Sequence, residues 1–491
     1  MLERGKVKKV VIAGGGTAGW CAAAGLSRYL SGLADITLVE SEEIGIVGVG
    51  EATIPTVRTF HQFLNIDERD FLRATHATFK LGIAFEDWAK RGDRYFHAFG
   101  TIGESPWFAP FHNLWLQAQS EGFGGDLGDY CLELRAAEAG RFGGDAARLN
   151  YAYHFDSVLY GRFLRRYSEA NGVKRIEGRI RDVAQDAGTG FITHLSLEDG
   201  QVVEGDLFVD CTGFIGLLIE KTLKTGYEDW SQWLPTDRAV AIQTESAGAL
   251  MPYTRAAAHE AGWRWRIPLQ NRVGNGLVYC SRFQSDDAAR ESLMAAVDAP
   301  AITEPRLIRY NTGRRKQMWN RNCIAIGLSS GFIEPLESTS IHLFQIAVTR
   351  LIQMFPFDGV DEAVVARYND LAIHETERVR DFVILHYVLN QRDEPFWRER
   401  AATAVPDSLR ARIDMFAAQA QTYQDSGDLF RVDSWVQVML GQRVKPKGWH
   451  RFGQVMDPVR LKQSFVSLKA DIDARVAAMP AHEAYLNRAM A

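Results

Sequence analysis

Cysteine is scarce and scattered: Cys21, Cys131, Cys211, Cys280 and Cys323 are the five in 491 residues, and no two form a Cys-x-x-Cys pair. That spacing excludes a disulfide framework and gives no zinc site, so no metal is expected and a reducing cytoplasm is the expected location. Long runs of one charge are also missing. With 56 basic and 61 acidic residues the net charge is −5, so neither nucleic acid nor an anionic membrane is an expected partner. No uninterrupted apolar stretch approaches the roughly 20 residues of a membrane span. Residues 1–9 are charged and lack the apolar stretch and small-residue cleavage site of a secretory signal.

What is present is an ordinary globular composition, 46% hydrophobic and 24% charged, in a chain long enough for two or three packed modules. Aromatic residues make up 11%, with 12 tryptophans, enough to line a pocket for a flat apolar ligand. A small-molecule partner follows. Residues 7–13 form a β-rich apolar run ending in Gly14-Gly15-Gly16-Thr17-Ala18-Gly19, and residues 20–30 read as a helix. A second apolar run, 36–39, closes on Glu40, completing a strand–helix–strand unit of Rossmann type.

The first glycine of such a turn permits a sharp bend, the second lets backbone N–H groups approach a pyrophosphate, and the third allows close helix–strand packing. The phosphate rests at the positive end of the helix, beside Gly14, Gly16, Thr17, Ala18 and Gly19. Glu40, twenty-one residues beyond Gly19, can accept from a ribose hydroxyl.

Residues 79–85 alternate, with Phe79, Leu81, Ile83 and Phe85 on one face and Lys80, Gly82 and Ala84 on the other, which predicts a strand. Further strands are predicted at 192–197, 206–210, 239–244, 276–280 and 323–326. After Pro335 the spacing turns helical, at 341–354, 361–390, 407–423 and 467–479. The expected fold class is therefore α/β, with a nucleotide-binding module over residues 1–340 carrying mixed β-sheets and a mainly helical substrate module over 341–491. No repeat or flexible linker separates them, so they are expected to pack closely and share a site.

Two later segments repeat the strand-to-glycine logic and favour FAD over NAD. Gly205-Asp206-Leu207-Phe208-Val209-Asp210-Cys211-Thr212-Gly213 is similar to an element of flavoprotein monooxygenases, with Asp210 as the candidate cofactor ligand. Ile324-Ala325-Ile326-Gly327-Leu328-Ser329-Ser330-Gly331 leads into a helix, with Gly327 nearest the cofactor. No second Gly-x-Gly-x-x-Gly turn is present to seat a nicotinamide. Reduced flavin is expected to arrive from a separate reductase.

Trp263-Arg264-Trp265-Arg266-Ile267-Pro268, Lys80 within Phe79-Lys80-Leu81-Gly82-Ile83, and Glu337 within Glu334-Pro335-Leu336-Glu337-Ser338-Thr339-Ser340 together resemble the motifs of the flavin-dependent tryptophan halogenases. The resemblance runs from residue 14 to about residue 340. It implies a FAD-binding, monooxygenase-like fold, FADH2 supplied in trans, and chloride or bromide as co-substrate. By resemblance Lys80 is the catalytic lysine and Glu337 the active-site glutamate. Halide meets backbone groups at Thr339 and Ser340, and the tryptophan motif keeps the flavin from acting directly on the organic substrate. Many relatives carry glycine where Ser340 stands, which leaves chloride against bromide open.

The glycine-spaced loop 45–55 corresponds to the family's strap across the flavin, with Gly50 and Ala52 at the cofactor. His97 and Phe99 match a His-x-Phe element bordering the substrate, and Trp435 is the candidate C-terminal pocket aromatic. The spacing around Trp435 and Trp449-His450 differs from that of free-tryptophan binders. An indole, a phenol, a tryptophan-containing peptide or another electron-rich ring is therefore the expected substrate, and a homodimer is an open expectation.

Composition and spacing alone also allow blander roles. Alternating tryptophans are common core filler, Lys80 could face solvent on a half-buried strand, and Ser338 or Thr339 could simply cap a helix near which an acid is favoured. An aromatic hydroxylase and a non-catalytic FAD-binding protein are the rival functions.

Overall fold

The computed structural model describes residues 6–44, 50–106 and 109–491. Residues 45–49 of the glycine-spaced loop lie outside the described residues, whereas Gly50 and Ala52 lie within them. The chain divides into two compact units, each drawn from three separate stretches. The first comprises Met1–His76, Phe155–Ser231 and Tyr310–Glu377; the second comprises Ala77–His154, Gln232–Arg309 and Arg378–Ala491. This differs from the expected division between residues 340 and 341. The local pattern does change there, but packing follows contacts made far apart in sequence.

In the first unit a six-stranded sheet runs in the order Trp319–Asn320, Cys323–Ala325, Leu207–Asp210, Lys9–Ala13, Asp35–Glu40, Lys174–Glu177. All neighbours are parallel except the first pair. Parallel strands are covered on both faces, which explains why Val10, Val11, Ile12 and Ala13 are all buried. The helix Thr17–Leu30 packs against the helices Ser157–Ala170 and Ser340–Gln353. Val11, Val39, Ile176 and Phe208 join a core cluster with Leu195, Leu197 and Val203, which belong to a small antiparallel sheet.

The second unit is built on a seven-stranded sheet, ordered Arg306–Arg309, Arg238–Thr244, Val273–Tyr279, Gly262–Pro268, Thr254–His259, Gly82–Glu86, Arg94–Ala98. Only the Thr254–His259 and Gly82–Glu86 pair is parallel. Among the described residues every element after Gly331–Phe332 is helical, as the spacing predicts. The helix Glu362–Val388 carries a run of nine buried residues, 379–387, so its end is enclosed on all sides. No helix of the described residues is long and apolar enough to cross a membrane.

The predicted strand over 79–85 is two strands. Thr78–Lys80 pairs with Ala152–Phe155, Gly82–Glu86 enters the seven-stranded sheet, and Leu81 is the junction, its N–H donating to the Pro252 carbonyl. Residues 79–85 are buried throughout. Alternation here does not separate core from solvent, since both sets are buried.

On Gly262–Pro268 both tryptophans are buried, Trp263 at 1% and Trp265 at 7% exposure. Trp265 sits opposite Gly276, and a Cβ at that glycine would overlap the indole ring. Gly276→Ala is therefore expected to cost about 1–3 kcal/mol through overpacking, measured as a lowered midpoint in urea unfolding with an unchanged slope.

Candidate active site

The glycine turn separates into two structural positions and one open one. Gly14 has φ +105°, its N–H donates to the Val39 carbonyl, and a Cβ there would overlap the Cys211 carbonyl. A Cβ at Gly19 would overlap the Gly14 carbonyl, so the helix starts hard against the strand. Gly16 is different: its φ is −70° and nothing among the described residues lies within 4 Å of its Cβ position. The helix Thr17–Leu30 has no side-chain N-cap, and the Thr17 hydroxyl donates instead to the Ser157 carbonyl. First-turn amides thus face an uncrowded space, which is what a pyrophosphate requires.

Glu40 lies beside the turn, only 12% exposed, accepting from Arg175 Nε at 2.6 Å and Trp20 Nε1 at 3.3 Å. Arg175 fixes the carboxylate and leaves lone pairs for a ribose hydroxyl. Gly327 packs on Ala18, where a Cβ would overlap the alanine methyl. These residues fit a dinucleotide.

Asp210, a candidate cofactor residue, is hydrogen-bonded within its own turn. One carboxylate oxygen accepts from the Thr212 N–H and hydroxyl, the other from the Leu218 and Ile219 N–H groups at 2.8 Å. Four hydrogen bonds occupy a carboxylate's four lone-pair sites. Asp210 thereby shapes the turn after its strand.

Between Gly50 and Ala52 stands Glu51, an acid that sequence reasoning passed over. Burial, followed by the charge of Asp156, raises its carboxyl to about 7. The only signal in the sequence was an acid inside a glycine-rich, otherwise apolar loop.

Glu337 ends a short turn, Pro335–Glu337, and is wholly buried. Ser338 takes a left-handed conformation, φ +59°, and the helix Ser340–Gln353 follows. Thr339 is the N-cap residue but makes no side-chain cap bond, and its buried hydroxyl has no partner. Side-chain capping of this helix end by Thr339 is thus excluded. This end is braced from behind. His342 Nδ1 lies 3.0 Å from the Thr56 hydroxyl and Nε2 lies 3.1 Å from Glu375, which also pairs with Arg350 at 2.6 Å. Burial pushes the Glu375 carboxyl up, but the His342 hydrogen bond and Arg350 outweigh it and hold it below the ordinary range.

The second unit holds Lys80, His97, Phe99 and Trp435. Lys80 is wholly buried, with Nζ 5.2 Å from the Phe99 ring centroid. A cation over an aromatic face is stabilised where water cannot reach it. The solvent-facing reading of Lys80 is overturned. His97 is 3% exposed and rests against Phe382 and Phe430. Trp435 is 1% exposed, packed edge-on to Phe382 with the Arg412 guanidinium 4.5 Å from its centroid. It packs behind Phe382 in the core of the second unit. Among the described residues no group of three or more His, Cys, Asp or Glu could hold a metal.

The sequence model for tryptophan halogenases matches residues 9–458. The tryptophan 6-halogenase SttH of Streptomyces toxytricini is 38% identical over 441 residues, 84% of each chain. Among solved structures, Xcc4156, a flavin-dependent halogenase from Xanthomonas campestris, superposes with TM-score 0.97 at 51% identity, covering 99% of this chain and 98% of that one. BrvH from Brevundimonas sp. BAL3, another flavin-dependent halogenase, gives 0.95 at 42%, covering 99% of each.

The chain belongs to the tryptophan halogenase family.

It is a flavin-dependent halogenase, an enzyme of the FAD- and halide-using class, and the hydroxylase and non-catalytic readings are set aside. The expected α/β fold with a helical C-terminal part stands.

In this halogenase Gly16 is the turn glycine that the fold itself does not need. Gly16→Val is expected to leave the melting temperature unchanged and to weaken FAD binding at least about tenfold, about 1.4 kcal/mol, read by flavin fluorescence titration. Gly14→Val and Gly19→Val should instead fail to fold.

Glu51 generates a pH prediction. Its folded carboxyl titrates near 7 against 4.5 for the free group, so the folded state holds a proton that the unfolded chain has released. Stability from this group is complete below 4.5 and falls as pH rises through about 7. Glu51→Gln should therefore raise the melting temperature over wild type at pH 8 and lose that advantage at pH 5.

Proposed function

We propose that this halogenase substitutes chlorine or bromine for hydrogen on an electron-rich aromatic ring, an indole or tryptophan derivative, with Lys80 delivering the halogen. The observation that carries the reading is a fully buried lysine whose ammonium lies over the Phe99 ring. Burying a charge away from water is costly, and a lysine held this way suits the handling of a small oxidant better than it suits packing. The relatives named as tryptophan halogenases support the indole class.

The chemistry supplied by bound FADH2, oxygen, halide and a proton is two-electron oxidation of the halide, giving FAD, water and hypohalous acid. Glycine-turn amides and Glu40 hold the dinucleotide, with Gly50 and Ala52 beside it. Thr339 and Ser340 present backbone N–H groups to the halide at the positive end of their helix. Lys80 holds the hypohalous acid through its ammonium, or as a haloamine, and directs electrophilic halogen to the ring. Glu337 takes the ring proton, as a general base must. Hypohalous oxygen leaves as water, so the balance closes. His97 and Phe99 border the substrate, and ring placement sets regioselectivity. A separate flavin reductase supplies FADH2.

Lys80→Ala is expected to bind FAD as wild type does and to lose halogenated product by at least about 100-fold, the lower range of a positioned acid–base group. The check is mass spectrometry of mixed indoles and phenols incubated with enzyme, FAD, a flavin reductase system and bromide. A Lys80→Ala protein that halogenates normally would refute the assignment.

A further inference from the structure

The strand that carries Lys80 is three residues long, Thr78–Lys80, and each residue is held by a different partner. The Thr78 hydroxyl donates to the Pro268 carbonyl at 2.7 Å, at the end of the tryptophan-motif strand. Having given up its one hydrogen, that oxygen can only accept from His154 Nδ1, 3.1 Å away. His154 Nε2 in turn receives the Thr254 hydroxyl at 2.9 Å. A wholly buried imidazole thus joins Thr78–Lys80, Ala152–Phe155, Thr254–His259 and Gly262–Pro268. At the next residue the Phe79 N–H donates to His482 Nε2 at 3.2 Å, and His482 Nδ1 donates to the Leu250 carbonyl at 2.8 Å.

These bonds specify the same tautomer twice, with hydrogen on Nδ1 and none on Nε2. Burial first, then the charge of Lys80 and His482, pushes His154 well below its ordinary range. Burial pushes His482 down to about 4, against the opposing pull of the Leu250 carbonyl. Both rings are neutral at working pH, so neither repels the Lys80 ammonium. An apolar side chain would join strands as tightly, but it would not fix a donor–acceptor direction along them.

We infer that His154, seconded by His482, is a positioning residue that fixes the base of the Lys80 side chain while Phe99 fixes its tip. The inference rests on the proposed role of Lys80. A lysine has four rotatable side-chain bonds, and aim requires both ends to be held. Loosening the base leaves the oxidant formed but misdirected.

The test compares Thr78→Val, which removes the hydroxyl at constant shape, with His154→Asn, whose amide can replace Nδ1–H. The measurements are melting temperature, halogenated product per oxygen consumed, and oxidant captured by a soluble hypohalous acid scavenger. Thr78→Val is expected to lower product per oxygen by about 10- to 100-fold, with scavenged oxidant rising to match, and Thr78→Ser to restore the yield. If Thr78→Val does not fold, His154→Asn carries the same expectation with a smaller loss. Folded Thr78→Val or His154→Asn protein with wild-type yield overturns the inference. Lys80→Ala separates the two readings. If it is inactive while the positioning variants stay fully coupled, this inference alone fails; if it is fully active, the role of Lys80 fails first.

Discussion

A helix can offer its first amides to a phosphate only if it begins where the strand before it stops. In this halogenase that constraint is met at the contact between Gly19 and the Gly14 carbonyl, where no side chain fits. The contact sets the start of the helix Thr17–Leu30. That helix packs on Ser340–Gln353, which likewise has no side-chain cap bond at its N-terminus. Gly25 lies against Val348 at their crossing, and a Cβ there would press on the valine. The glycine turn and the start of Ser340–Gln353 are thus tied together by one helix pair.

The second unit solves a different problem, the burial of a cation. Lys80 has no solvent to stabilise it, and the structure answers with an aromatic face and with imidazoles that stay uncharged. The Nδ1–H groups of those imidazoles donate to the Thr78 hydroxyl and the Leu250 carbonyl, and their Nε2 atoms accept from the Thr254 hydroxyl and the Phe79 N–H, neutral groups that satisfy hydrogen bonds without adding charge. Around Glu375 the choice is reversed: Arg350 and His342 surround a buried carboxylate and keep it ionised.

Legibility in the sequence followed range. The strand, turn and helix at residues 9–30 were readable because each rule acts over a few residues, and the helical C-terminal texture was readable for the same reason. Lys80 and Glu337 could be singled out by motif, but the burial of Lys80 could not, since its strand alternates as a core–solvent strand does although both sets are buried. The four donors that hold Asp210 could not be read from the sequence, because an acid at a strand end gives no sign of which amides will fold back on it. His154 had no local signature at all. Its importance comes from Thr78 and Thr254, seventy-six and one hundred residues away.

The interleaving of the two units bears on how the polypeptide is made. The chain passes between them five times, and the six-stranded sheet lacks a member until Cys323–Ala325 has been synthesised. By then two of the three stretches of the second unit have already been synthesised. Neither unit can be finished, excised or exchanged as a contiguous fragment, and the incomplete sheet edge must be shielded during translation.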